Sequence, residues 1–144
     1  SAENLIKNYC NKNKILFDIC RVFNLYGPKD GFSIISKLKD LPKNNSKLQI
    51  YNNGESIRDF IHVDDVVKII NFIIENNIND TINVGSGYGR LLSSVVKMIS
   101  SHNKIKPLVK ISSNNDKLIA NISKLRSIGY KSKIVKINEK NFNI

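Results

Sequence analysis

The sequence predicts an α/β fold on three observations. Apolar segments at strand spacing and at helical spacing alternate along the chain. The loops between them are short and carry Gly, Pro and Asn. The 144 residues, 41% hydrophobic and 24% charged, are enough for one buried core. No internal repeat or low-complexity linker interrupts the pattern, so residues 1–144 read as one domain or a large piece of one.

Ala2, Leu5, Ile6, Tyr9 and Cys10 recur at helical spacing and predict an amphipathic helix over 2–12. Glu3 sits in its first turn, where the helix dipole favours an acid. Residues 15–23 are apolar and rich in strand formers. They end at Asn24 and the turn-forming Gly27-Pro28, which predicts a buried strand running into a loop. Residues 33–41 predict a short helix stopped by Pro42, then a polar loop over 43–47 and a short strand over 48–51. Asn53-Gly54 marks a turn. Residues 57–63 are extended, with Ile57, Asp59 and Ile61 on one side and Arg58, Phe60 and His62 on the other.

Asp64 is placed to cap a helix that reaches Glu75. Its apolar residues Val66, Val67, Ile69, Ile70, Phe72, Ile73 and Ile74 are dense enough to predict cover on most sides. A strand over 81–84 leads through Gly85, Gly87 and Gly89, a tight strand-to-helix turn, into a helix over 91–100. A strand at 108–111 and a helix at 121–128, ended by Gly129, follow.

Composition narrows the function classes. A formal charge of +11 is compatible with nucleic-acid binding, but lysine supplies all the basic residues except Arg21, Arg58, Arg90 and Arg126. The lysines are scattered among Asn and Ile, residues that share A/T-rich codons, so genome composition accounts for much of the bias. Specific DNA readers rely on the bidentate arginine fork, and no nucleic-acid partner is expected. No run of about 18 apolar residues exists, so no membrane span is expected. The opening residues are not a signal peptide, which makes a cytoplasmic location the expectation. The chain opens on Ser1 and its only methionine is Met98, so a cut N-terminus is expected. Cys10 and Cys20 lie in apolar stretches without a C-x-x-C pair and read as buried, reduced thiols.

Few residues carry chemistry by pattern alone. Gly85-Ser86-Gly87-Tyr88-Gly89 sits where a dinucleotide loop would, but the spacing is not G-x-G-x-x-G and no acid follows about 20 residues on. Arg58 stands out in a chain that prefers lysine: its fork suits a diphosphate, or equally a salt bridge to Asp59, Asp64 or Asp65. His62 and His102 have no partner pattern, and Asp64-Asp65 reads as helix capping rather than a metal pair. No G-x-S-x-G supports a hydrolase. These features stop at an α/β domain open to a phosphorylated ligand.

Three ordered segments carry more. They are Cys20-Arg21-Val22-Phe23-Asn24-Leu25-Tyr26-Gly27-Pro28, Ser56-Ile57-Arg58-Asp59-Phe60-Ile61-His62-Val63-Asp64-Asp65 and Thr81-Ile82-Asn83-Val84-Gly85-Ser86-Gly87. Together with Ser123-Lys124-Leu125 running to Gly129-Tyr130, they resemble the extended short-chain dehydrogenase/reductase family, the NAD-dependent epimerases and dehydratases of nucleotide sugars, of UDP-glucose 4-epimerase-like type. Ala2-Glu3-Asn4-Leu5 resembles the residues that follow the family's catalytic Tyr-x-x-x-Lys.

The resemblance implies the C-terminal portion of a Rossmann-type enzyme: the last sheet strands and the small substrate-binding subdomain, with the NAD-binding half absent. It implies that Phe23 lies by the nicotinamide of NAD and that Asn24 bonds the nucleotide sugar. Ser33 and Ile34 would give backbone contacts, Gln49 and Tyr51 would line the base pocket, and Arg58 would bind the diphosphate. The first helix would join a homodimer's helix bundle in the complete enzyme. The family's second phosphate arginine, in an R-P-G-D stretch, is missing where this chain reads Ser113-Asn114-Asn115-Asp116, and Lys110 is a candidate substitute. After the glycine turn, Arg90-Leu91 stands where the family places a Ser or Thr cap. The expected function is therefore the nucleotide-sugar pocket of an epimerase or dehydratase whose catalytic residues lie elsewhere. The alternative is a non-catalytic binding protein on the same scaffold.

Overall fold

The computed structural model describes residues 1–28, 30–44, 49–50, 54–103, 108–109, 116–138 and 141. Among the described residues the elements in order are α1 (Ala2–Asn13), β1 (Ile19–Val22), β2 (Asn24–Tyr26), α2 (Ile34–Asn44), β3 (Gln49–Ile50), β4 (Ile57–His62), α3 (Val63–Glu75), β5 (Thr81–Val84), β6 (Gly89–Leu91), α4 (Leu92–Asn103), β7 (Leu108–Val109), β8 (Lys117–Leu118) and α5 (Ser123–Ser127). Parallel pairs dominate. β1 runs parallel to β5, β3 to β7, and β2 and β8 to β4, while β6 pairs antiparallel with β4. Parallel neighbours need crossovers, and helices supply them, as in open α/β sheets.

β4 organises the packing. Its last four residues are buried, and alternate side chains enter two different cores. Phe60 joins Tyr26, Ile35 and Leu38 of α2, and Val95 and Ile99 of α4. Ile61 joins Ile69 and Ile73 of α3, Ile82 and Val84 of β5, and Leu125 of α5. Each such aliphatic side chain, fully buried, contributes about 1.5–3 kcal/mol. Two facing cores require a strand apolar on both sides, which β4 meets at Ile57, Phe60 and Ile61, with Arg58 and Asp59 near its start and His62 at its end as the polar exceptions.

Asp59 is fully buried and its carboxylate is used completely. Oδ1 accepts from Ser86 N–H at 2.9 Å and from the Ser86 hydroxyl. Oδ2 accepts from Gly87 N–H at 2.9 Å and Ala120 N–H at 3.1 Å. The carboxylate thus ties β4 to the glycine turn after β5 and to the segment entering α5. Gly85 is obligatory there, because an added Cβ would overlap the Ala120 methyl and lie 2.8 Å from Asp59 Oδ2. Gly87 has φ +71°, a region L-residues avoid.

Several expectations are corrected. The strand expected over 15–23 begins only at Ile19 and its end is open, with Val22 41% exposed, because β1 has β5 on one side and no partner on the other among the described residues. Pro42 does not stop α2, which runs on to Asn44: a proline in the last turn removes one N–H without ending the ladder. The α3 N-cap is His62, not Asp64. The His62 backbone is extended and its Nδ1 accepts from Asp64 N–H at 3.2 Å. Nor is α3 covered on most sides. Val66, Ile69 and Ile73 face the core while Val67 and Ile74 are exposed, since the sheet meets one face only.

The glycine turn leads first into β6, held antiparallel to β4, and only then into α4. β8 was not expected; Lys117-Leu118 has no strand-like pattern and is set by its pairing with β4. Cys10 is buried, but Cys20 is half-buried; burial, with a smaller push from Asp18, raises its thiol pKa. Leu48, Tyr51, Asn53, Lys110, Ile111 and 113–115 lie outside the described residues.

Replacing Asp59 with Ala leaves three backbone N–H groups without acceptors. The expected loss is about 3 kcal/mol or more in urea unfolding. Asp59→Asn, which keeps one carbonyl oxygen, should lose less. An Asp59→Ala midpoint equal to that of the exposed-site Lys97→Ala would refute the hub role.

Candidate functional site

The residues expected to contact ligand converge in part. Asn24, Ser33, Ile34 and Arg58 line one cavity of about 330 Å³, completed by the apolar Leu25, Phe32, Phe60 and Leu92. Apolar walls with a few convergent polar groups are the usual make-up of a small-molecule site. Phe23 borders a second, more open cavity of about 490 Å³ with Arg21, Val22, Asn83 and Leu118, and Asn24 lies on both. Gln49 is on β3, its side chain outside the described residues, as is all of Tyr51.

Register explains the convergence. Asn24 pairs with Phe60 in the parallel β2–β4 ladder, so both project from the Arg58 face of the sheet. Asn24 Nδ2 donates to the Asp59 carbonyl at 2.8 Å, which holds the amide in place. Its Oδ1 has no partner among the described residues and remains an acceptor.

The loop before α2 is built on Asp30. This carboxylate accepts from Gly27 N–H (3.1 Å), Phe32 N–H (3.1 Å), Ser33 N–H (2.9 Å) and the Ser33 hydroxyl (2.8 Å). Burial pushes the Asp30 carboxyl pKa up, but these donors outweigh it and hold the group below the ordinary aspartate value. Ser33 Oγ in turn accepts from Ser36 N–H at 3.0 Å and caps α2. The Ser33 N–H is thus already committed inside the loop.

Arg58 meets none of the three acids weighed from its spacing. Its Nη2 donates to Asp116 Oδ2 at 2.6 Å, and its Nη1 to the Asp116 and Ile57 carbonyls at 3.3 and 3.1 Å. The Asp116 carboxyl lies below its usual range, first through the Arg58 hydrogen bond and then through Ser56. Asp116 remains 59% exposed at its side chain, against 23% for Arg58. An ion pair so open to water is worth at most about 1 kcal/mol, so it orients the guanidinium without closing it to an anion.

The sequence pattern does not mark Asp30, and it does not give the partners of Asp59 and Asp116, which are set by folded loops and strands. No group of His, Cys, Asp and Glu among the described residues is arranged to hold a metal.

The model of a family described as the NAD dependent epimerase/dehydratase family matches residues 1–85, more than half of the chain. A dTDP-D-glucose 4,6-dehydratase of Dictyostelium discoideum is 33% identical over 89 residues, 60% of this chain and 20% of that protein. An ADP-L-glycero-D-manno-heptose-6-epimerase of Brachyspira hyodysenteriae is 29% identical over 132 residues, 82% of this chain and 42% of that protein. Among solved structures, the dTDP-glucose 4,6-dehydratase of Bacillus anthracis in complex with NAD superposes with a TM-score of 0.82 at 18% identity, covering 99% of this chain and 47% of that one. The chain spans about half, or less, of the length of these relatives.

The Asp30 loop gives a pH signature. Its folded carboxyl pKa lies below the unfolded one, so its contribution is complete above the ordinary aspartate value and fades as pH falls through the lower folded value. Against Asp30→Ala, the unfolding free energy of the wild type should exceed by about 1 kcal/mol at neutral pH. That excess should shrink below about pH 4. An excess independent of pH in acid would show that the ionised carboxylate does not hold the loop.

Proposed function

The chain belongs to the NAD dependent epimerase/dehydratase family, and we propose that residues 1–144 are the C-terminal, substrate-binding part of such an enzyme, supplying the pocket for a nucleotide sugar. The observation that carries this reading is the shared cavity of Asn24, Ser33, Ile34 and Arg58. An acceptor amide, the start of a helix and a partly buried guanidinium surround an apolar floor. That arrangement suits a ligand with a polar sugar and a diphosphate. Gln49, on β3, and Tyr51, two residues on in the sequence, are the proposed base-pocket residues.

The proposed substrate class agrees with what the relatives' names state for them, sugars linked to dTDP or ADP. The UDP-glucuronic acid 4-epimerase of Bacillus cereus, solved with UDP-glucuronic acid and NAD, has the same fold, with a TM-score of 0.81 at 21% identity.

NAD is proposed as the cofactor of the complete enzyme. The residues here fit only its reacting end. Phe23 borders the open cavity shared with Asn24 and would flank the nicotinamide. The glycine turn does not fit the pyrophosphate, because the Ser86 and Gly87 N–H groups are already bonded to Asp59. NAD, when bound, supplies a hydride acceptor and donor. This sequence contains neither a Tyr-x-x-x-Lys nor a G-x-G-x-x-G, so the part proposed for this chain is to bind and orient the sugar nucleotide.

A homodimer of the complete enzyme, joined through α1, is supported by the exposed Leu5, Ile6 and Tyr9 on that helix. No helix among the described residues is long and apolar enough to cross a membrane. A cytoplasmic location is proposed with the rest.

Titration calorimetry with UDP-, dTDP- and ADP-linked sugars tests the reading. The protein should bind at least one of them, and Arg58→Ala should weaken that binding about ten-fold or more, the usual weight of a charge-assisted contact. An unchanged affinity would remove Arg58 from the site.

A further inference from the structure

We propose that Arg90 is the second arginine of the anion site and grips the diphosphate from the strand opposite Arg58. This rests on the nucleotide-sugar reading above. In the β4–β6 ladder Arg58 pairs directly with Arg90. Paired residues of an antiparallel ladder project from the same face. The two side chains therefore leave the sheet on the same face, the one that also carries Phe60 and Asn24.

That placement has a cost. Like charges directly opposite on a sheet repel. Asp116 relieves Arg58 alone. The Arg90 guanidinium has no hydrogen bond or ion pair among the described residues, and its Nε is buried without a partner. A buried donor left unpaired is unfavourable, and more so for a charged group. A dianionic ligand lying across the pair would satisfy Nε and remove the repulsion together. Two forks spaced across a strand pair suit two linked phosphates better than one.

The choice of residue points the same way. Two of only four arginines in a lysine-rich chain face each other here. Only arginine offers a planar, bidentate grip on phosphate oxygens.

The test is calorimetry on the full chain with UDP, dTDP and ADP and the matching monophosphates, together with melting curves without nucleotide. Arg90→Gln should weaken the preferred diphosphate by about ten-fold or more and narrow its advantage over the monophosphate. It should also leave the ligand-free melting temperature unchanged or raised, because repulsion is removed. Arg90→Lys, keeping charge without the fork, should fall between. Lys97→Gln makes the same charge change on the exposed side of α4 and should leave affinity unchanged.

If Arg58→Gln loses the diphosphate while Arg90→Gln binds it like the wild type, the role of Arg90 is overturned and the site reading stands. An equal loss in Lys97→Gln reduces the effect to net charge and overturns it too. If the wild type binds no nucleotide, both readings fall.

Discussion

A single carboxylate, that of Asp59, sets the geometry on which the site depends. It takes no exposed counter-ion. Its oxygens accept three backbone N–H groups and a hydroxyl from segments 27 to 61 residues away. In a low-dielectric interior such a group is costly unless fully bonded, so the bonds are effectively all or none. Fixing Asp59 on one face of β4 fixes Arg58 and Phe60 on the other, because a strand alternates. The same bonds draw the glycine turn against β4 and start β6, which then presents Arg90 opposite Arg58.

The second constraint is that β4 lies between two cores. Phe60 and Ile61 are neighbours in sequence but belong to separate clusters. A slip of one residue would exchange them and bury Arg58 in place of Asp59. The apolar residues thus enforce the register, and the polar pair at the start of the strand uses it. Asp59 faces inward to donors, and Arg58 faces a cavity edged by Asn24 and the capped start of α2. Around that cavity the polar groups are held by other polar groups: Asn24 by the Asp59 carbonyl, Ser33 by Asp30, Arg58 by Asp116. Such support fixes the polar groups that edge the cavity.

Outside the two cores, apolar surface concentrates on α1 and the residues after it, where Leu5, Tyr9 and Leu16 are each more than 60% exposed. The end of β1 is open as well. This surface lies on the first elements of a chain that covers about half of the solved relatives it superposes on.

Much of the fold was legible in local patterns. α1 and β5 fall within a residue of their expected bounds, because helical spacing and a short β-branched run bounded by Asp80 and Gly85 are set by neighbours in sequence. Asn24 and Arg58 were also legible as candidates, from ordered motifs and from arginine in a lysine-rich chain. The partners of the polar groups were not. Arg58 had Asp59, Asp64 and Asp65 close in sequence, yet its partner is Asp116, 58 residues on. Asp64 stood at the right place to cap α3, yet His62 does so, since its ring nitrogen reaches the Asp64 N–H. Nothing in the spacing of Arg58 and Arg90 marks them as neighbours until β6 pairs with β4. By itself, the sequence determined where the helices and the strands β4 and β5 lie, and which residues stand out as candidates to bind phosphate. Which charges meet was decided only by the tertiary structure, because hydrogen bonds and ion pairs act over a few ångströms in space and folding sets those distances.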